Sequence, residues 1–503
     1  MSQGLNIFVE IPSLIVKNGC VRQHALKAHA AGASLTPTTP AHKSPKERMG
    51  GVGSSTSQRR GEEVPGPDYL MSLPPEMLDD ILCRLPFEKL VGTCCLSPAW
   101  HRRWESVPGL DIWFSRGSST ARDPRFLRWP CAAPVHRFTA RSLWRCAAPI
   151  CSFTAHVQRR HSHRHARWLL ALAHKRVEKL KLKFDEPWPA HSARPPVVGP
   201  ALYSCSALTH LQLCGYCHLL RAPQGFAGFP NLSTLCLEYV VLPFHGVAAQ
   251  LQLIISSAPH LTRLLLNDVM IGDEEADIET CAIQAPNLRF LRLTMSLDNG
   301  CRIVGELPLL KVAQISIDPL FETPNFINTF RRISSVKKLY LDTDSDQTME
   351  NPLERILWTF QNLRAVQQTA NFGKFPSIMS IFSSLRFGPH IEKLKIQVVR
   401  REVETDNDDA IDQDILDALI YDDLFANLKH VSVDGPQYLP NDMWFMKFLL
   451  SKAGLLEYLF VSFNHGEETK AYVEACKELA TCEKASPEAM LILSPRDKPT
   501  PDI

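Results

Sequence analysis

Residues 232–237 read LSTLCL, 261–266 read LTRLLL and 288–293 read LRFLRL. Each puts an apolar residue at i, i+3 and i+5. The last two of these positions fall on the same face of an extended strand, and i+4 falls on the other. The signature recurs as VEKLKL (177), LTHLQL (208), VAQISI (312), VKKLYL (336), IEKLKI (391), LKHVSV (428) and LEYLFV (456), with a weaker copy, LRAVQQ, at 363. A six-residue strand cannot bury its apolar face alone. Copies stacked side by side can, with the intervening segments returning behind them.

The copies run from Val177 to Leu456 at a mean spacing of about 28 residues, inside the range of leucine-rich repeats. The expected architecture is α/β, an irregular and gently curved solenoid. No asparagine ladder is expected, because Tyr216, Val240, Val269 and Ser296 occupy the third position past the last strand leucine in four consecutive copies. Outward strand positions such as Gln212, Arg292 and Tyr340 are candidates for contact with a target protein.

Before the repeats lies a different pattern. In LPPEMLDDILCRLP (73–86), Leu78, Ile81, Leu82 and Leu85 follow i, i+3, i+4, i+7, with Glu76, Asp79, Asp80 and Arg84 on the other side. That spacing predicts an amphipathic helix entered at Pro74 and Pro75 and closed by Pro86. Phe87, Leu90, Val91 and Cys94 predict a second helix. Ser97, as N-cap before Pro98, with Leu96, Trp100, Trp104 and Val107, predicts a third, stopped by Pro108. Helices this short need a shared core, for which the two indoles supply bulk.

The three-helix unit resembles an F-box through Leu73-Pro74-Pro75-Glu76, Leu78, Ile81-Leu82, Arg84-Leu85-Pro86, Leu90-Val91, Leu96-Ser97, Trp100, Arg103-Trp104, Val107-Pro108 and Leu110-Asp111. Pro98-Ala99 departs from the usual basic pair. An F-box followed by degenerate leucine-rich repeats is similar to the large plant family of F-box proteins with leucine-rich repeats and a C-terminal FBD region. The segments 161–184, LLEYLFVSF (455–463) and YVEACKELATCEKASPEAMLIL (472–493) carry the rest of the likeness. The expected organisation is a disordered tail over 1–66 and an F-box over 67–111. A linker with an internal duplication follows over 112–168, then leucine-rich repeats over 169–440 and an FBD-like cap over 441–493.

The resemblance implies a non-enzymatic substrate-recognition subunit of an SCF-type cullin-RING ubiquitin ligase. Its F-box would dock a Skp-family adaptor through Leu73, Pro74, Leu78, Ile81, Leu82, Leu85, Pro86, Leu90, Val91, Trp100 and Trp104, and its repeats would hold the target protein. The competing reading is a repeat scaffold whose helical unit caps the repeats. A cap would bury its apolar stripe, whereas a docking unit must leave much of it exposed.

Composition bounds the alternatives. The 503 residues are 45% hydrophobic and 21% charged with a net charge of +2, which gives no general reason to expect nucleic acid or a membrane as partner. Neither a membrane-length apolar run nor a secretory layout is present, so the expected location is nucleus or cytoplasm. The first 60 residues carry eight Lys or Arg against Glu10 and Glu47, a faint likeness to a transit peptide set against a plain disordered extension. CAAPVHRFTA (131–140) recurs as CAAPICSFTA (146–155), and poor order is expected between 115 and 160. CGYCH (214–218) has the haem-attachment spacing, yet it follows a repeat strand, where Cys214 and Cys217 are expected to be packing residues. His161, His163 and His165 lack the i, i+4 spacing of helical metal ligands, and ETDNDDAIDQD (404–414) has Ile411 where a calcium loop needs Gly. No cofactor or metal is expected.

Overall fold

The computed structural model describes residues 70, 72–85, 87–107, 111–114, 143–144, 150–157, 165–184, 196–242, 247–271, 281–295, 301–317, 325–342, 351–399, 422–463 and 470–495. The tail expected over 1–66, the first duplicated copy at 131–140, His161, His163 and the acidic run at 404–414 lie outside these residues.

The strands are β1 (Asp111–Phe114), β2 (Ser152–Val157), β3 (Lys179–Phe184), β4 (Val197–Val198), β5 (His210–Leu219), β6 (Thr234–Leu242), β7 (Arg263–Asn267), β8 (Met270–Ile271) and β9 (Cys281–Ile283). They continue as β10 (Phe290–Met295), β11 (Cys301–Ile303), β12 (Val312–Ile317), β13 (Lys338–Asp342), β14 (Ala365–Ala370), β15 (Lys393–Val398), β16 (His430–Asp434), β17 (Tyr458–Phe463) and β18 (Met490–Pro495). All but β4, β8, β9 and β11 lie side by side in chain order, and β4 and β8 add to β5 and β6 to complete a sixteen-stranded sheet. Neighbours are parallel throughout, as the connection between successive copies demands.

The repeat signature builds this sheet directly. Leu180, Leu211, Leu235, Leu264, Leu291, Ala313, Leu339, Val366, Leu394, Val431 and Leu459 stand opposite one another in register, and each is buried. A second ladder runs through the residue before each strand. The amide of Ser233 donates to the carbonyl of Thr209, that of Thr262 to Ser233, Arg289 to Thr262 and Lys311 to Arg289, continuing in the same way to Met490 and Glu457. Each copy is thereby locked to its predecessor in one register.

Three features differ from the sequence reading. The copy expected to start at Val312 starts two residues earlier: Phe290 pairs with Val312 and Leu291 with Ala313, so Leu310, Ala313 and Ile315 fill the core positions. Alanine in place of leucine hid the true start. The stretch expected as linker over 112–168 supplies β1 and β2 of the sheet and part of the first helix behind it. In particular, Ile150, Phe153 and Ala155 repeat the i, i+3, i+5 pattern within the second duplicated copy, and all are buried. At the other end, β18 within the FBD-like segment pairs with β17 and extends the same sheet.

Helices α3 (His165–His174), α4 (Val247–Ser256), α5 (Asn325–Arg332), α6 (Phe375–Phe387), α7 (Pro440–Lys452) and α8 (Lys470–Ala480) contribute their buried side chains to the core cluster that holds the strand leucines. Between α6 and α7 that cluster turns aromatic, with Phe372 against Phe445 at 4.8 Å and Phe425 against Phe448 at 5.7 Å. One inward strand position is polar. Gln368 of β14 is fully buried, and its amide nitrogen donates to Ser380 Oγ while its oxygen accepts from Ser384 Oγ at 2.8 Å. The serines of α6 thus answer the weak LRAVQQ copy, satisfying a group that would otherwise be costly to bury.

At the N-terminal end, α1 (Pro75–Cys83) and α2 (Phe87–Gly92) form where the sequence places them. The third expected helix does not form as one α-helix. It is two 3₁₀ segments, Pro98–Trp100 and Arg103–Ser106. The break falls at Arg102, with φ −126° and ψ 8°, where the side chain turns to Glu105 at 2.8 Å and the next, Arg103, turns to Asp79 at 2.6 Å. Separate turns still bury both indoles. The chain is therefore mixed α/β, with a helical unit at one end and a long parallel sheet.

Candidate functional site

The helical unit divides its apolar residues between a core and a surface. Leu78, Leu82, Leu90, Trp100, Trp104 and Val107 are buried. Arg103 stitches the last turn to α1 by donating to the Asp79 carboxylate at 2.6 Å, both side chains being largely shielded from solvent. On the outer side of α1, Met77 and Ile81 stand one turn apart at i and i+4, and Leu85 lies just past the end of the helix. Met77 is 56% exposed and Ile81 44%, and Leu96 from the next turn is 62% exposed.

Of the residues expected to touch an adaptor, Pro74, Ile81 and Leu85 are exposed and Leu73 is half-buried against the core. Leu78, Leu82, Leu90, Trp100 and Trp104 belong to the core and are not exposed in this structure. Pro86 and the side chain of Val91 lie outside the description. The sequence reading missed Met77 and Leu96. Both were legible as large apolar residues, Met77 off the assigned stripe and Leu96 counted as part of it.

The second candidate surface is the sheet face opposite the buried leucines. The register aligns Lys179, His210, Thr234, Arg263, Phe290, Val312, Lys338, Ala365 and Lys393 in one row. The next row includes Lys181, Gln212, Arg292, Gln314, Tyr340 and Lys395. Gln212, Arg292 and Tyr340 all stand on this face, half-buried. Burial holds the Arg292 guanidinium below its usual value, and it donates through Nε to Gln314 Oε1 at 2.8 Å. Arg263 lies over the Phe290 ring at 4.2 Å and Lys338 over Tyr340 at 5.1 Å. The carboxylates Glu238, Asp342 and Asp434 stand in a third row, toward the C-terminal ends of the strands.

The remaining motifs resolve into packing. Cys214 and Cys217 flank a register shift between β5 and β6. At the shift Gly215 has φ +91°, and a Cβ there would stand 2.3 Å from the Phe184 carbonyl oxygen, so the position requires glycine. Both thiols are buried, and burial pushes that of Cys217 up to about 12. His165 is buried against Phe184, its Nε2 lying 2.7 Å from the Val197 carbonyl oxygen. Among the described residues no group of three or more His, Cys, Asp or Glu could hold a metal ion, and no helix is long and apolar enough to cross a membrane.

Comparison with known proteins agrees with this division. Residues 70–110 match the F-box domain, and residues 165–249 match the leucine-rich repeats of FBD-associated F-box protein At5g56370. F-box/FBD/LRR-repeat protein At1g13570 of Arabidopsis thaliana is 23% identical over 451 residues, covering 85% of this chain and 98% of its own length. F-box/FBD/LRR-repeat protein At1g78750 of the same plant is 23% identical over 492 residues, covering 88% of this chain and all of its own length. FBD-associated F-box protein At1g66310, also from Arabidopsis thaliana, is 28% identical over 193 residues, or 37% of each chain. The chain thus carries an F-box followed by leucine-rich repeats of the FBD-associated type, and its relatives are the F-box/FBD/LRR-repeat proteins of plants.

Proposed function

We propose that this protein is the substrate-recognition subunit of an SCF-type cullin-RING ubiquitin ligase, acting in the nucleus or cytoplasm. Its F-box docks a Skp-family adaptor, and a leucine-rich-repeat solenoid, ending in an FBD-like module over about 441–493, holds the target. F-box proteins with leucine-rich repeats act in general as adaptors rather than enzymes, and ubiquitin transfer is left to partners. The chain's contribution is proximity: holding target and charged carrier in one assembly raises their effective concentration.

The observation that carries this reading is the exposure of the large apolar residues Met77, Ile81, Leu85 and Leu96, left open beside a core that has already closed over Trp100 and Trp104. A unit serving only to cap the sheet has no use for such a face, and water exacts a cost for it until a partner covers it. Leu73 and Pro74 extend the proposed contact.

The test is capture of a Skp-family adaptor by the full chain and by Met77→Asp/Ile81→Asp. Both positions are solvent-exposed, so the variant keeps its fold while losing on the order of 2 kcal/mol or more per anchor if these residues are central to the contact. Leu78→Ala is unsuitable, because it empties the core. Capture by the wild type and loss in the variant is the expected result. A folded wild-type chain that captures no adaptor would leave a repeat scaffold.

A further inference from the structure

The residue preceding each strand forms a continuous line, because its amide is bonded to the carbonyl of its counterpart in the previous copy at 2.7–2.9 Å. Along that line the side chains change character in three steps. After Glu178 come Thr209, Ser233 and Thr262, each donating its hydroxyl to the carbonyl of the preceding rung. Arg289, Lys311, Lys337 and Arg364 follow on consecutive rungs. After them the sign alternates through Glu392, Lys429 and Glu457, with Glu392 4.0 Å from Arg364 and 3.8 Å from Lys429, and Glu457 2.9 Å from His430.

Apart from Glu178 at its start, the first part of the line is uncharged, and the last part is self-compensated. The middle is not: among the described residues Arg289, Lys311 and Lys337 have no ion-pair partner, and all three are exposed. Neighbouring strands lie about 4.8 Å apart, so the four rungs place four cations within about 14 Å. Like charges opposed on adjacent strands destabilise a sheet, and the alternation seen a few rungs later shows how this ladder removes such repulsion. Arg263 and Arg292, on β7 and β10 of the same region, add to the positive field.

Taking the proposed function as its basis, we infer that the Arg289–Arg364 strip is the part of the sheet that selects the target, and that it takes an acidic, extended protein segment rich in Asp or Glu. Carboxylates spaced along an extended chain span these rungs with four or five residues at about 3.3 Å each. Single-stranded nucleic acid fits less well. It needs free aromatic faces for base stacking, and here Phe290 and Tyr340 are already covered by Arg263 and Lys338.

The experiment is fluorescence anisotropy of the full chain with a short labelled peptide rich in Glu and free of Lys and Arg, at about 50 mM and about 300 mM salt. Binding at low salt is expected to weaken roughly tenfold or more in Lys311→Glu/Lys337→Glu, about 1.4 kcal/mol, and to weaken again on raising the salt. Lys429→Gln, in the alternating part of the line, is expected to bind as the wild type does. Lys311→Gln/Lys337→Gln, a milder change, should fall between and serves if charge reversal impairs folding. No peptide binding at low salt, equal binding by both double variants and wild type, or tighter binding of an oligothymidylate than of the peptide would each overturn the inference. Adaptor capture, measured on the same preparations, separates the two readings: intact capture without peptide binding sinks this inference alone, and lost capture by the wild type sinks the proposed function.

Discussion

The helical unit and the sheet treat their apolar residues in opposite ways. In the sheet nearly every signature leucine is sealed inside, and the outward face is mostly polar and charged, interrupted by residues such as Phe290, Val312 and Ala365. In the helical unit the same kind of residue is split: Leu78 and Leu82 are inside, while Met77, Ile81 and Leu85 are outside. A long stack of copies buries each face against two neighbours, whereas a unit of about 40 residues has too little volume to do so. The difference leaves two kinds of exposed surface, one carrying large apolar side chains and one mostly polar and charged.

The most direct way to break the comparison is to remove the bulk that makes the small core possible. Trp100→Ala leaves a cavity among Leu78, Leu82 and Trp104 and should cost about 3–5 kcal/mol. For a unit this small that is most of its stability, so adaptor capture should vanish while the far-ultraviolet circular dichroism of the sheet persists. Hydrogen exchange would then show α1 amides unprotected and β10–β16 amides protected. Equal loss of protection in both regions would mean that they fold as one cooperative unit and that the contrast does not extend to energetics.

The sequence disclosed the sheet better than it disclosed the exposed apolar residues of the helical unit, for a physical reason. A period-two signature repeated many times averages out local exceptions, so LRAVQQ was placed correctly as β14 despite its glutamines. It failed where the core residue shrank, at Ala313, and where Phe153 and Ala155 stood in for leucine. The helical stripe of Leu78, Ile81, Leu82 and Leu85 gives the direction of the core but not its depth. Leu82 is buried and Ile81 exposed, a boundary that the spacing alone does not set. The third helix was misread because the side-chain partners that turn Arg102 and Arg103 apart, Glu105 and Asp79, are partly remote in sequence.

The sealed interior of the sheet can be sharpened at its one polar rung. Gln368→Leu removes the partner of Ser380 and Ser384, leaving two buried hydroxyls with only helix carbonyls to bond. A loss of about 1–3 kcal/mol is expected in urea unfolding. Converting the pair as well, in Gln368→Leu/Ser380→Ala/Ser384→Ala, should recover much of it, since an apolar set of similar shape needs no bonds. If the single variant is as stable as the wild type, the seam is not a matched polar group.

The smallest effect concerns the charge of the exposed face itself. His210 shares its row with Lys179 and Arg263, and burial first, then those two cations, hold its imidazole below the ordinary value of about 6.5. Its Nδ1 meets Thr209 Oγ1 at 2.9 Å. The unfolded chain therefore takes up this proton at a higher pH than the folded chain does, and linkage makes stability rise with pH across that interval. As the pH falls below about 6.5 the folded state should lose ground, and His210→Gln should flatten the decline. Urea midpoints measured from about pH 7.5 to about pH 5.5 test this. His218, lowered by burial alone, contributes in the same direction, so a residual slope in His210→Gln is expected and should disappear in the double variant. A slope of opposite sign in the wild type would mean that the row attracts protons, and that the cations beside His210 are screened or neutralised.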